Sequence, residues 1–99
     1  MNMNNLLAQA QKMQKDMEKK QKEIYDSEYE GDSQLVSVKI NGKREVLSVI
    51  IKDKEKLESD DLEILEDMIK IAFNEALRKV DSDIEKKMGV YGKQLGGLF

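Results

Sequence analysis

Apolar residues recur along the first quarter of the chain at helical spacing. Met3, Leu6, Ala10, Met13, Met17 and Ile24 form one stripe, interrupted where Lys20 takes an apolar position. Ala, Gln, Lys, Met and Glu dominate the stretch and are strong helix formers, so the pattern predicts a helix over residues 3–25. The period then changes. Residues 26–34 are acidic and polar, punctuated by Gly31, and read as a loop or a short edge strand. Residues 35–40 and 46–51 are β-branched and alternating, and Asn41-Gly42 lies between them. That pair predicts a two-residue hairpin turn, which needs positive φ at both positions. Such a turn pairs Ile40 with Lys43, Val38 with Glu45 and Val36 with Leu47. One sheet face then carries Val36, Val38, Ile40, Leu47, Val49 and Ile51. Leu35, Val46 and Ile50 lie on the other, so cover is expected on both faces.

A charged turn over residues 53–58 leads to Ser59-Asp60-Asp61, where a second helix is expected to begin and to run to about Lys87. Asp60 is placed to cap it, with Glu63 as the reciprocal member of a capping box. Its main stripe is Leu62, Leu65, Ile69, Ala72, Phe73, Ala76, Val80 and Ile84. A second stripe, Ile64, Met68 and Ile71, points well away from the first. One helix with two apolar faces is packed on two sides, and in so short a chain the second side is most simply another subunit. These elements make one α+β domain over residues 1–88. Residues 89–99 hold four of the six glycines and read as a flexible tail.

Composition narrows the chemistry. The 99 residues contain no Cys, no His and no Trp. This removes thiolate nucleophiles, zinc-thiolate sites and the usual base near neutral pH. Close carboxylates such as Asp60/Asp61 and Glu66/Asp67 stand near a helix start, where acids serve capping and the dipole. Asp81, Asp83 and Glu85 do not converge, and Gly96-Gly97 is no phosphate loop. No enzyme, metal site, cofactor or small-molecule substrate is therefore expected. The apolar runs are far too short to span a bilayer, and no leader is apparent, so the expectation is a cytoplasmic protein without a membrane partner.

The net charge of −3 argues at first against nucleic acid. Its distribution argues differently: residues 23–32 and 53–67 together carry −11, and the other three segments together carry +8. Lys12, Lys15, Lys19 and Lys22 are spaced 3, 4 and 3, and line one face of the first helix nearly opposite its apolar stripe. The row is about 15 Å long and can track phosphates. Lys12–Asp16, Lys19–Glu23 and Lys15–Glu18 are also spaced as helix ion pairs, and on charge alone such a stripe is more often a solvated face than a nucleic-acid face. Arg78, Lys79, Lys86 and Lys87 form a weaker cluster mixed with acids. With few groups able to read bases, the expected affinity for DNA comes from phosphates, with weak sequence preference. The alternative is a dimeric helical adaptor whose faces bind a protein partner.

Four separated motifs carry a family likeness. Asn4-Asn5-Leu6 leading to Gln9-Ala10-Gln11-Lys12-Met13-Gln14 resembles the opening of the YbaB/EbfC family of bacterial nucleoid-associated proteins. So does Val36-Ser37-Val38-Lys39-Ile40-Asn41-Gly42-Lys43 followed by Glu45-Val46-Leu47-Ser48-Val49. Leu65-Glu66-Asp67-Met68-Ile69 with Ala72-Phe73-Asn74-Glu75-Ala76 looks like its second helix, and Gly97-Leu98-Phe99 like its close. The resemblance implies an α-β-β-β-α chain whose long helices flank a three-stranded antiparallel sheet, with the extra strand at about residues 25–31. It further implies an intertwined homodimer in the nucleoid that binds double-stranded DNA, alters its conformation and bears on gene expression, nucleoid organisation and DNA protection.

Overall fold

A computed structural model describes residues 2–89, so the expected tail lies, apart from Gly89, outside the described residues. The chain runs α1 (Met3–Asp26), β1 (Glu28–Asp32), β2 (Val36–Asn41), β3 (Val46–Ile51) and α2 (Leu62–Met88). The sheet is antiparallel with strand order β1-β2-β3. The acidic segment left open as loop or strand is thus β1. Its register places Tyr29 opposite Ile40 and Gly31 opposite Val38.

α2 packs on β1 and β2 and barely touches β3. Its buried residues, Ala72, Ala76, Val80, Ile84 and Met88, repeat every four positions. Together with Ile24, Tyr29, Val36, Val38 and Ile40 they form the core. The two alanines bring α2 unusually close to the sheet. A Cβ at Gly31 would fall on the Ala72 carbonyl oxygen, so this strand position admits only glycine. The opposite sheet face has no helix over it. There Lys39 pairs with Glu28 at 3.4 Å and Glu30 at 3.7 Å, so the expected cover on both faces is absent from the described residues.

The hairpin departs from the expected register. β2 pairs with β3 as Val36 with Ile51, Val38 with Val49 and Ile40 with Val46, with one extra residue of β3, Leu47, opposite the Lys39–Ile40 step. Positive φ falls on Arg44 (65°), not on Asn41-Gly42, so Gly42, Lys43 and Arg44 form a three-residue loop followed by a bulge. The Asn41 side chain directs it, accepting from the Lys43 N–H (2.9 Å) and the Glu45 N–H (3.0 Å). Gly42 is needed for another reason: its backbone runs against the Ile24 carbonyl, where a Cβ would collide. Beyond the bulge the slip from the expected pairing is even, and Val49 and Ile51 keep the expected face. Before it the slip is odd, and Val46 comes to the face of Ile40 that was expected for Leu47.

α2 also starts differently. Ser59–Asp61 is a single 3-10 turn, and the capping box is Glu58 with Asp61 rather than Asp60 with Glu63. The Asp61 carboxylate accepts the Glu58 N–H at 2.9 Å.

Candidate nucleic-acid interface

Most of α1 stands away from the rest of the fold. Ile24 is its one buried residue, and Met17 packs against the core. Every residue from Asn2 to Asp16 is exposed. At 1.5 Å per residue this free segment is about 20 Å long. Asn2 caps it, its side chain accepting the Asn5 N–H at 2.9 Å.

Lys12, Lys15, Lys19 and Lys22 are all exposed along this helix, and among the described residues none has a carboxylate within 4.0 Å. The expected pairs Lys12–Asp16, Lys15–Glu18 and Lys19–Glu23 do not form. Asp16 instead holds Lys20 at 3.1 Å, and Glu18 accepts from Gln14 at 3.5 Å. Chain direction explains the choice. An acid four residues ahead of a lysine pairs better than the reverse, because that order suits the helix dipole. Lys12–Asp16 and Lys19–Glu23 have the poorer order. The four lysines keep their charge open to solvent.

The second basic group is divided. Lys79 pairs with Glu75 (3.3 Å) and Lys87 with Asp83 (3.2 Å), both in the favourable order. Arg78 and Lys86 are exposed and make no such pair among the described residues. Lys79 and Lys86, seven apart, share a face of α2, whereas Arg78 and Lys87 are turned well away from it. The four do not make one surface.

Asp83 is part of the scaffold. Tyr29 donates its hydroxyl to the Asp83 carboxylate at 2.5 Å, joining β1 to α2. Burial, the hydrogen bond to Asp83 and its charge push the Tyr29 phenol up to about 12. Burial pulls the Asp83 carboxyl upward. The hydrogen bonds from Tyr29 and Lys87, with the charges of Lys87 and Lys86, outweigh it and hold the group below its ordinary value. A second tie joins the hairpin loop to both helices: Arg44 reaches Asp81 at 2.7 Å, and the Lys43 ammonium lies 5.5 Å from the centre of the Tyr25 ring. Sequence reasoning overlooked Arg44. Its only signal was a basic residue just after an Asn-Gly pair, which says nothing about a partner 37 residues away.

Of the residues expected at a subunit contact, Ile64 and Ile71 are exposed, at 51% and 47%, and Met68 is half-buried against the core. They are a small part of what is left uncovered. Val46, Leu47, Val49 and Ile50 on β3, Leu62 on α2, and Met3, Leu6, Leu7 and Met13 on α1 are also exposed. Among the described residues no group of three or more acids, His or Cys is placed to hold a metal ion. No helix among them is long and apolar enough to cross a membrane.

The YbaB/EbfC DNA-binding family model matches residues 1–95 of this chain. The chain belongs to that family. Among YbaB/EbfC relatives, a nucleoid-associated protein of Alkaliphilus metalliredigens is 43% identical, over 99% of this chain and 89% of its own length. One from Lachnoclostridium phytofermentans is 46% identical, over 99% and 88%. An uncharacterized Helicobacter pylori protein of solved structure has the same fold, with a TM-score of 0.70 at 22% identity. The match covers 87% of this chain and 91% of that one. Among the described residues, this YbaB/EbfC chain therefore carries a row of four lysines without acid partners on the helix whose first half projects from the domain.

Proposed function

We propose that this chain is a non-enzymatic, nucleoid-associated protein that binds double-stranded DNA as a homodimer and alters its conformation. The observation that carries the reading is the row of lysines without acid partners, Lys12, Lys15, Lys19 and Lys22, on the free part of α1 and its continuation. Membership of a DNA-binding family supports the partner, and the names of the relatives support the nucleoid as its place. Phosphates supply the affinity. Arg78 and Lys86 add to it, while Lys79 and Lys87 contribute less because each is held by an acid of its own helix. The second subunit covers apolar surface that one chain leaves open, including Ile64, Met68 and Ile71.

A gel shift against random duplex at several salt concentrations tests the mechanism. Four to six phosphate contacts give a log–log slope of roughly −4 to −5, and a flat response removes the phosphate reading. Replacing Lys12, Lys15 and Lys19 by Glu is expected to abolish retardation while sedimentation still reports a dimer. Undiminished binding by that variant makes the row a solvated face and returns the adaptor reading.

A further inference from the structure

The lysine face of α1 continues toward the N-terminus as something other than lysine. At 100° per residue, Asn4, Ala8 and Gln11 fall within the same third of the helix circumference as Lys12, Lys15, Lys19 and Lys22. All are exposed. Three nearby amides are engaged: Asn2 caps the helix from just before it, Gln14 donates to Glu18 and Gln21 donates to Tyr25. Among the described residues Asn4 and Gln11 make no side-chain hydrogen bond. No acid occurs before Asp16, in a chain with 20 acidic residues. On its lysine face the tip of the projecting helix therefore offers two free amides around a methyl group, with ammonium groups behind them, while the free amides of Asn5 and Gln9 are turned to the side of that face.

We propose that this tip enters the major groove and reads A·T pairs, with Asn4 and Gln11 on adenine, Ala8 against a thymine methyl, and the lysines on the flanking phosphates. The inference rests on the DNA-binding reading above and adds base recognition to it. An amide is the side chain that matches adenine, donating to N7 and accepting from N6, and alanine suits the thymine C5-methyl. Asn4 and Gln11 are about 10 Å apart along the axis, roughly three base-pair steps. A helix fits a groove about 12 Å wide, and among the described residues nothing else crowds residues 2–16. Arginine, the commonest reader of guanine, is missing from this face: Arg44 engages Asp81, and Arg78 stands on α2.

The test compares two duplexes of one A·T-containing sequence, one with adenine and one with 7-deazaadenine, which lacks the N7 acceptor and little else. The intact chain is expected to bind the adenine duplex several-fold to about tenfold more tightly. The double variant Asn4→Ala, Gln11→Ala is expected to lose that difference, its helicity checked by circular dichroism. Equal binding of both duplexes by the intact chain overturns the proposal, and so does a double variant as sensitive to N7 as the intact chain. Failure of the intact chain to retard any duplex at low salt is a different result, and removes the DNA reading itself.

Discussion

Two glycines fix how closely the backbones approach. At Gly31 an added methyl group meets the Ala72 carbonyl of α2, and at Gly42 it meets the Ile24 carbonyl of α1. Backbone cannot give way as a side-chain end can. Gly31→Ala and Gly42→Ala are each expected to cost about 2–3 kcal/mol, read as a lower urea midpoint. The Tyr29–Asp83 bond contributes to stability at both ends of the pH range. The Asp83 carboxyl is held low, so its contribution is present above the ordinary carboxylate value and is lost as pH falls through its folded value. The Tyr29 phenol is raised from 10.0 to about 12, so its contribution is full below 10 and disappears as pH rises through about 12. Tyr29→Phe is expected to flatten the alkaline fall in the urea midpoint and to weaken the acid one. Neither glycine's role was legible in the sequence, because each depends on a backbone that folds back from elsewhere. Asn41-Gly42 announced a turn correctly. It did not announce that the left-handed residue would be Arg44, because the Asn41 side chain and the tie to Asp81 select the longer loop.

Among the elements, the strongly periodic ones were readable. The stripe from Met3 to Ile24 anticipates α1 to within a residue, and the alternating run 46–51 matches the bounds of β3. β1 was half-hidden, because Glu28, Glu30 and Asp32 are exposed on an acidic strand whose buried positions are only Tyr29 and Gly31. Periodicity marks which residues want burial but not what buries them. The α1 stripe marks residues that want burial, and in the described chain it is largely open. This free segment has little tertiary support, and isolated helices under about 12–15 residues are marginal in water. Asn2→Ala, which removes the cap, is expected to destabilise the arm by about 1 kcal/mol. Faster amide exchange over residues 3–16 with an unchanged urea midpoint is the expected signature. A change confined to the midpoint would instead make the arm part of the cooperative core.

At the scale of the whole chain, the described residues form a rod, 70 × 19 × 16 Å, with a radius of gyration of 19.2 Å, where a compact chain of about this length has about 13 Å. Such a shape leaves apolar surface that the fold itself does not cover, on α1, β3 and the first half of α2. The double variant Ile64→Asp, Ile71→Asp is accordingly expected to weaken self-association at least tenfold in sedimentation equilibrium while far-UV circular dichroism stays helical. The uneven charge also acts at this scale. The −11 of the two acidic segments is expected to turn DNA away from the surface they occupy, which predicts one-sided binding of modest affinity.

β3 is an edge strand of six residues, Val-Leu-Ser-Val-Ile-Ile, without a charge or a proline. Strands of that kind are hazards when nothing lies against them. If a second copy is what shields it, folding and association become a single equilibrium, and the melting temperature must climb with protein concentration. Dosage would then work as a stabiliser. A cell making the chain sparsely would lose it to proteolysis and clumping, and one making it abundantly would keep it, with no change in the sequence.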